Sequence, residues 1–308
     1  MPAVQNVATQ NVIVIGGPTA SGKSGLALDV ARTRGGVIIN ADSMQVYAGL
    51  PILTAQPPAE DLAAAPHRLY GTLPPADVCS AARWRDMAMD EIDAARAQNS
   101  LPVIVGGTGF YIRALTEGLS PMPAVPEEIR HRLGTEIAAA GNSAFHARLA
   151  ACDPVMAAKL HPGNTQRLVR AMEILEHTGK SLAYWQSLPP VPPPAHLRFI
   201  KIALLPPRDW LYARCDERFS HMLAHGGIEE ARAFPSPKGD HSWPLHKALG
   251  YPELRAFIDG RASQSEAVAE AQQSTRHYAK RQITWFRHQM KADIVLDAPD
   301  AAQLDGAF

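Results

Sequence analysis

The segment Asn11-Val-Ile-Val-Ile15 runs through Gly16 into Gly17-Pro-Thr-Ala-Ser-Gly-Lys-Ser24. The apolar run predicts a buried parallel strand, and the glycine-rich turn after it leads into a helix, which is the spacing of a P-loop. The backbone N–H groups of such a turn, together with the positive end of the helix dipole, bind phosphate groups. The segment therefore predicts a phosphate-binding loop made by Gly17, Pro18, Thr19, Ala20, Ser21, Gly22, Lys23 and Ser24.

Two side chains of this loop have separate predicted roles. Lys23 supplies a positive charge for the terminal phosphate, and the Ser24 hydroxyl is placed to bind Mg²⁺. The motif indicates a phosphate chain, as in nucleotide-binding proteins, but does not show that the ligand is ATP. The alternative is a glycine-rich turn without a ligand, which the combination of strand, spacing and helix disfavours.

Composition limits the class of protein. The chain has 308 residues, of which 46% are hydrophobic and 19% charged, as expected for one main domain plus a smaller one. It has no apolar run of the roughly 20 residues that cross a membrane, and its start lacks the basic and apolar regions of a secretory signal. The three cysteines have no paired spacing, which argues against a disulfide framework or a zinc site. We therefore expect a cytoplasmic protein without a membrane partner.

A second predicted strand, Val37-Ile-Ile39, ends just before Asn40-Ala-Asp-Ser43. With the helix predicted for Leu26 to Arg34, it completes a right-handed βαβ unit. The carboxyl ends of the strands in an open parallel sheet face the ligand, so we expect Asp42 beside the P-loop. Alternatively, Asp42 caps the next helix or starts a turn, as Asp-Ser pairs often do.

A third predicted strand, Leu101-Pro-Val-Ile-Val105, leads into Gly106-Gly-Thr-Gly109. This turn offers no acid, whereas P-loop NTPases usually carry a Walker-B Asp after such a strand to hold Mg²⁺. The missing acid argues against an ATPase. Thr108 is either a turn residue or a further contact at the ligand edge.

Proline-rich turns flank a stretch with helical periodicity and no convincing strand, from Pro121 to about Pro189. We predict an α/β fold, in which a P-loop NTPase-like parallel sheet is flanked by helices and carries an inserted all-helical subdomain. The expected divisions are 1–120 and 191–308 for the core and 121–190 for the subdomain. Basic residues cluster in the subdomain at Arg130-His-Arg132 and in Gln166-Arg-Leu-Val-Arg170, where the alternative is a solvated helix face.

The helix predicted for Asp209 to Ala224 carries Arg214 and Arg218 one turn apart. Two arginines on one helix face near the P-loop would be able to bind a second phosphate charge. Exposed arginines paired with the nearby Asp216 and Glu217 are the alternative.

The helix predicted for Ser274 to Ala292 is basic, although the formal net charge of the chain is zero. A polyanion must therefore bind through a local patch rather than the whole surface. The stretch contains no acid, and its basic strip consists of Arg276, His277, Lys280, Arg281, Arg287, His288 and Lys291. Tyr278, Trp285 and Phe286 lie between these residues, an arrangement typical of a surface that follows a phosphodiester backbone.

Taken together, these stretches resemble the bacterial tRNA dimethylallyltransferase family, also called tRNA isopentenyltransferases or IPP transferases. The matching stretches occur in the family's order and are Gly17 to Ser24, Asn40 to Tyr47, Gly106 to Tyr111, Gln166 to Arg170, Leu249 to Tyr251 and Thr275 to Arg287. A lone P-loop is common, whereas this series is specific. Two positions depart from the family pattern, since Gln56 stands where Lys is usual and Phe110 where Leu is usual.

The resemblance implies transfer of a dimethylallyl group from its diphosphate to the exocyclic N6 amine of the adenine directly 3′ of the anticodon, in tRNAs that read codons beginning with U. A diphosphate leaving group needs the P-loop but no hydrolytic water, which accounts for the missing Walker-B acid. Asp42 is the candidate general base, and Thr108 orients the amine or contacts the donor. Lys23 and Arg218, with Mg²⁺ and the loop N–H groups from Thr19 to Ser24, stabilise the leaving diphosphate.

The target adenine is stacked in the anticodon loop, so it must be flipped out towards the P-loop. We expect a monomer that uses Mg²⁺ as cofactor, dimethylallyl diphosphate as donor and the anticodon stem-loop of tRNA as acceptor. The residues expected to contact tRNA are Asp42, Ser43, Met44, Gln45, Thr108, Arg130, Gln166, Arg167, Leu168, Val169, Arg170, Lys247, Ala248, Leu249, Gly250, Tyr251, Arg276, Lys280 and Arg281.

Other functions are compatible with parts of this pattern. A P-loop kinase would use ATP and a small acceptor held by Asp42, and an adenine-nucleotide prenyltransferase would use the same donor with a free nucleotide. A non-catalytic RNA-binding protein would keep the basic strip but have no use for Lys23 and Ser24 beside Asp42. The helical subdomain and the basic strip favour tRNA over a free nucleotide.

Overall fold

A computed structural model describes residues 9–235, 243–304 and 306 of the chain. Within these residues the strands form one parallel sheet of six, in the order β3-β2-β4-β1-β5-β6. The strands are β1 (Gln10–Gly16), β2 (Gly36–Asn40), β3 (His67–Arg68), β4 (Leu101–Gly106), β5 (Leu197–Leu204) and β6 (Ile294–Leu296). The predicted α/β class with a parallel sheet is confirmed.

The register of the three central strands aligns their carboxyl ends. Gly16 of β1 lies beside Gly106 of β4, and Asn40 of β2 lies beside Val105. The segments that leave these strands are the P-loop, the Asp42 loop and the Gly107-Thr108 turn. They therefore start at the same edge of the sheet, as expected for the ligand edge of a parallel α/β sheet.

Helices cover both faces of the sheet, and alternate residues of β1 face opposite sides. Val12 and Val14 belong to one core cluster, in which Trp84 and Phe286 are also buried. Ile13 and Ile15 belong to a cluster on the other face. The helices of this part are α1 (Lys23–Arg34), α2 (Ala59–Ala64), α3 (Ala81–Ala97), α4 (Gly109–Thr116), α9 (Arg208–Ala224), α10 (Gly227–Ala233), α11 (Tyr251–Ile258) and α12 (Gln264–Gln289).

The described chain divides into two compact units, of which the second is Glu117–Pro192. This second unit is helical and has its own core, in which Leu133, Phe145, Leu168 and Met172 are almost completely buried. Its helices are α5 (Glu127–Cys152), α6 (Pro154–Ala157), α7 (Thr165–Thr178) and α8 (Leu182–Ser187).

Two features of the core were not predicted from the sequence. The proline-rich stretch from Tyr47 to Pro75 contains α2 and the short edge strand β3, which pairs with Ile38 and Ile39 of β2. The last long helix begins at Gln264 rather than Ser274, behind a capping box in which Ser263 and Glu266 satisfy each other's backbone N–H groups. None of the helices in the described ranges combines the length and the apolar character that crossing a bilayer requires.

Candidate active site

The P-loop joins β1 to α1 through a backbone that leaves the helix start open. Gly22, which precedes α1, has φ of 90° and provides no side-chain cap for the first N–H groups of the helix. An L-residue rarely adopts this conformation, and a side chain here would also meet Pro299, since an ideal Cβ would lie 2.9 Å from its Cγ. The uncapped N–H groups and the helix dipole thus remain available for an anion.

Thr19 connects the P-loop to two distant helices. Its N–H donates to Oε1 of Gln282 on α12 at 2.8 Å, and its hydroxyl accepts a hydrogen bond from the Arg218 guanidinium on α9. The Thr19 N–H was predicted to bind diphosphate. That prediction is corrected, because the protein itself uses this donor.

Lys23 and Arg218 place two cations at the P-loop. Burial lowers the pKa of Lys23 to about 8, an effect that nearby Asp42 opposes and Arg218 reinforces. Burial likewise lowers the pKa of Arg218 from its usual value. Two poorly solvated cations destabilise each other unless an anion lies between them, so the site favours a multiply charged ligand.

The structure distinguishes the two arginines of α9. Arg214 is exposed, pairs with Glu217 at 3.3 Å and lies over the Trp210 ring at 5.6 Å from its centre. Arg218, one turn further on, reaches the Thr19 hydroxyl. Of the pair, Arg218 is therefore the residue placed to meet a ligand in the P-loop.

Asp42 is held by a buried asparagine at the end of β2. The Asn40 side chain accepts the Asp42 N–H at 2.9 Å and donates to the Asp42 carbonyl at 3.0 Å. The Asp42 Oδ1 atom in turn accepts the Met44 N–H at 2.9 Å. Asp42 thus starts a turn, as the alternative interpretation proposed, while its carboxylate keeps further lone pairs for another donor.

Three tyrosines lie within electrostatic range of this carboxylate. Burial raises the pKa of Tyr70, Tyr111 and Tyr278, and the negative charge of Asp42 raises each pKa further. Their hydroxyls consequently stay protonated at neutral pH. The negative charge of Asp42 also acts on the pKa values of Lys23 and Arg218, so the carboxylate lies within electrostatic range of the predicted diphosphate position.

Thr108 ties the turn after β4 to the Asp42 loop. Its N–H donates to the Ala41 carbonyl at 3.1 Å, and its hydroxyl accepts the Ser43 N–H at 2.9 Å. The same hydroxyl donates to Ser43 Oγ at 3.3 Å. Thr108 therefore lies next to the Asp42 loop, as expected from the strand ends.

The residues at the P-loop fit a diphosphate with Mg²⁺. Ser21 Oγ is buried and has no hydrogen-bond partner among the described residues, a costly arrangement that a phosphate oxygen would relieve. Ser24, three residues further along the chain, is exposed. The described residues contain no cluster of three or more His, Cys, Asp or Glu that would hold a metal ion. Mg²⁺ suits such a site, because it keeps several waters and binds through few protein oxygens plus substrate phosphates.

Several residues expected to contact tRNA are instead packing residues. The side chains of Leu168, Ala248 and Tyr251 are 0%, 1% and 2% exposed, and Gly250 is also buried. Tyr251 packs with Phe234 at 5.5 Å between ring centres. A side chain without accessible surface cannot bind RNA directly, so these predictions are corrected.

The basic strip is partly neutralised by an acid from another helix. Both oxygens of Asp216 on α9 accept hydrogen bonds from Arg276 Nη1, at 2.5 and 2.7 Å. Lys280 and Arg281 are exposed, with the Arg281 guanidinium 5.5 Å from the centre of the Tyr278 ring. Lys280 and Arg281 are thus the predicted tRNA contacts of this helix that remain open to a phosphate.

Of the aromatic residues that lie between the basic residues of the strip, Phe286 is not available to RNA, and Trp285 is half-buried. Phe286 is 1% exposed in the core, and Trp285 lies against Gly109, where an ideal Cβ would be 2.2 Å from the indole.

Phe110, which stands where the family usually has Leu, is 48% exposed. Gln56, the other departure, donates to the Tyr47 carbonyl at 2.8 Å.

In the helical unit, Arg130 and Arg170 flank the buried Glu173. Arg170 lies 3.0 Å from its carboxylate and Arg130 lies 3.7 Å away. Gln166 and Arg167 are exposed, whereas Val169 is half-buried. Both flanking arginines remain partly exposed, so each can bind Glu173 and still present a donor to solvent.

Met44 and Gln45 follow Asp42 in the same loop and are half-buried. The Gln45 amide donates to the carbonyls of Thr54 and Ala55, both at 2.8 Å. Lys247, by contrast, is exposed, and Leu249 is half-buried.

Sequence reasoning missed Gln282 and the role of Asn40. Gln282 is 5% exposed and lies on the buried face of α12, together with Thr275, Ala279 and Phe286. An amide on the apolar face of an amphipathic helix is a recognisable signal, since buried polar groups need partners. Asn40 is a polar residue at the end of a buried strand, so its amide also needs hydrogen-bond partners.

The chain is similar to proteins that act on tRNA. The family described as IPP transferase matches residues 45–289. A tRNA dimethylallyltransferase from Rhodospirillum centenum is 52% identical over 296 residues, which cover 96% of this chain and 94% of the relative.

Solved structures agree with this similarity. The tRNA isopentenylpyrophosphate transferase of Bacillus halodurans has a TM-score of 0.66 at 33% identity, over 93% of this chain and 89% of its own. A eukaryotic dimethylallyltransferase acting on tRNA has a TM-score of 0.76 at 27% identity, over 97% of this chain and 76% of its own.

Proposed function

This chain belongs to the IPP transferase family, and from that premise we propose the reaction, acceptor and residues that follow. It is a prenyltransferase that transfers a dimethylallyl group to tRNA. The acceptor we propose is the N6 amine of the adenine directly 3′ of the anticodon, in tRNAs that read codons beginning with U. The observation that supports this chemistry is the Asp42 carboxylate at the same carboxyl edge of the sheet as the P-loop, within electrostatic range of Lys23 and Arg218, where the β4 turn carries no acid.

The proposed step exchanges one bond at the allylic carbon. A bond forms between N6 and the first carbon of the dimethylallyl group, and the bond from that carbon to the diphosphate oxygen breaks. The electron pair of the broken bond leaves with diphosphate. The N6 proton passes to the Asp42 carboxylate, so atoms and charge balance.

Asp42 is the proposed general base, because an aromatic amine is a poor nucleophile until its proton is removed. Its Oδ1 atom is held by the Met44 N–H, which orients the carboxylate. Thr108 positions the Asp42 loop through Ser43, so its proposed contribution is to the orientation of the acceptor.

Departure of diphosphate develops negative charge, which Lys23, Arg218 and the uncapped start of α1 are proposed to stabilise. Ser24, with diphosphate oxygens and waters, would hold Mg²⁺. Bound there, the ion would supply further charge neutralisation to the leaving group. The missing Walker-B acid is consistent with a reaction that activates no water.

The tRNA is proposed to present its anticodon stem-loop, with the target adenine flipped out of the stack. The accessible residues proposed to bind it are Ser43, Met44, Gln45, Arg130, Gln166, Arg167, Arg170, Lys247, Lys280 and Arg281. We further propose that the protein acts as a monomer, because all residues of the proposed chemistry belong to one chain. We also propose that it acts in the cytoplasm.

Mass spectrometry of tRNA nucleosides tests this proposal. The purified protein is incubated with unmodified tRNA, dimethylallyl diphosphate and Mg²⁺, and a parallel reaction receives ATP in place of the donor. We expect N6-isopentenyladenosine only in the first reaction. Phosphoryl transfer from ATP with unmodified tRNA would identify a kinase instead.

A further inference from the structure

We propose that Gln282 is a positioning residue that couples the diphosphate half of the site to the acceptor half. Its side chain is 5% exposed. Its Oε1 atom accepts the Thr19 N–H at 2.8 Å, and its Nε2 atom donates to the Gly107 carbonyl at 2.8 Å. One amide therefore bridges the loop after β1 and the loop after β4. This inference rests on the reaction proposed above.

Each loop continues from this bridge to a residue of the proposed chemistry. On the diphosphate side, the Thr19 hydroxyl accepts a hydrogen bond from Arg218. On the acceptor side, Gly107 is followed by Thr108, whose hydroxyl accepts the Ser43 N–H next to Asp42. Hydrogen bonds and adjacent backbone positions thus link the donor residues to the acceptor residues, with Gln282 in the middle.

The space at Gly107 fits this role. An ideal Cβ at this glycine would lie 2.3 Å from Gln282 Nε2 and 3.5 Å from Asp42 Oδ2. Only glycine at position 107 leaves room for the Gln282 amide to approach the carbonyl of that residue. Gln282 and the Asp42 carboxylate consequently lie on the same side of Gly107, so displacement of the amide would reach the proposed base.

Glutamine suits this position because its amide combines a donor and an acceptor in one planar group. Methionine has a similar volume but replaces neither hydrogen bond, and would leave the buried Thr19 N–H and Gly107 carbonyl unpaired. A protonated glutamic acid restores both, whereas an ionised carboxylate accepts only. Such a carboxylate would face Asp42, whose Oδ2 atom lies on the same side of Gly107, and Arg218 of α9, which bonds the same threonine as Gln282. Lys23 on α1 is the other cation of the P-loop.

The test compares wild type, Gln282→Met and Gln282→Glu with Gln273→Met, which alters an exposed glutamine of the same helix. Calorimetry with inorganic diphosphate and Mg²⁺ measures the donor side without any prenyl transfer. Single-turnover rates with saturating tRNA and dimethylallyl diphosphate measure the chemical step. Filter binding measures tRNA affinity, and thermal unfolding checks that each variant is folded.

We expect Gln282→Met to weaken diphosphate binding about ten-fold and to slow the single-turnover rate by at least about ten-fold. Its tRNA affinity should stay within about two-fold of wild type, as should every property of Gln273→Met. The rate of Gln282→Glu relative to wild type at the same pH should rise as pH falls, because the protonated acid replaces the amide. Gln282→Met should show no such recovery.

Diphosphate affinity and rate within about two-fold of wild type in Gln282→Met would overturn the inference. If Gln282→Met does not fold, the comparison of Gln282→Glu with wild type decides instead, and a ratio of their rates that does not change with pH would overturn the inference. A wild-type protein that binds diphosphate but modifies no tRNA would contradict the proposed function. The diphosphate measurements on the variants would still decide the role of Gln282.

Discussion

Arg218 of α9 donates a hydrogen bond to the hydroxyl of Thr19 in the P-loop, although the two residues are 199 positions apart in the chain. Arg214, one turn earlier on the same helix, instead pairs with Glu217 at the surface. The helix thus presents one arginine to the proposed diphosphate position and the other to solvent.

This difference predicts unequal effects of two matched substitutions. Arg218→Ala should weaken binding of inorganic diphosphate by about ten-fold or more, because it removes a charge-assisted donor from a poorly solvated site. Arg214→Ala should change it by less than about two-fold, since it removes only an exposed ion pair. Calorimetry in the presence of Mg²⁺ measures both. Equal effects of the two variants would show that Arg218 has no special role.

Asp42 as general base predicts a specific loss of the chemical step. Asp42→Asn keeps an oxygen that can accept the Met44 N–H but cannot take a proton at neutral pH. We expect its single-turnover rate to fall by about two orders of magnitude or more, with tRNA affinity largely kept. The single-turnover rate of Asp42→Ala should fall by at least the same factor. A single-turnover rate equal to that of wild type in Asp42→Asn would remove Asp42 from this role.

Lys23 predicts a pH dependence of diphosphate binding. Burial lowers its pKa to about 8, so in the free protein Lys23 is charged below that pH and neutral above it. Bound diphosphate favours the charged form, and affinity should therefore fall as pH rises from about 7 to about 9.5.

Lys23→Met is the control for this pH series. It should bind more weakly throughout, and any change caused by ionisation of the ligand itself should appear equally in this variant. Subtracting the pH profile of Lys23→Met from that of wild type isolates the effect of Lys23 ionisation on diphosphate affinity. Parallel profiles for wild type and Lys23→Met would mean that this lysine does not titrate in the binding reaction.

The exposed and paired residues of the basic strip predict different salt dependences. Lys280→Ala should weaken tRNA binding and reduce the slope of log affinity against log salt concentration by about one, because one phosphate contact is lost. Arg276→Ala should leave this slope nearly unchanged and lower thermal stability, since Arg276 pairs with Asp216 between α12 and α9. Filter binding at several salt concentrations, with thermal unfolding, measures both. A larger change of slope in Arg276→Ala than in Lys280→Ala would contradict this assignment.

The sequence alone predicted the features that are encoded locally. The P-loop is a contiguous motif, and the apolar runs before it and before Asn40 are long enough to indicate buried strands. Because the carboxyl ends of parallel strands meet at one edge of the sheet, the sequence also predicted that the P-loop, Asp42 and Thr108 lie close together. The two-residue strand β3 escaped prediction, since so short a segment has no periodicity.

Contacts between distant segments escaped prediction for a different reason. The partner of Arg276 is Asp216, which lies on another helix, so the basic strip contained no sign of its neutralisation. Leu168 and Tyr251 occur inside family motifs, yet those motifs include core positions as well as surface ones. Gln282 was present in a matched stretch, but only the fold shows that its amide meets Thr19 and Gly107.

The stoichiometry of a single turnover tests the central claim most directly. Wild-type protein, unmodified tRNA and Mg²⁺ are mixed with dimethylallyl diphosphate labelled in the prenyl group, and released diphosphate is counted against label in the tRNA base. We predict one diphosphate for each labelled adenine, without any need for ATP. Unlabelled tRNA together with phosphoryl transfer from added ATP would contradict it.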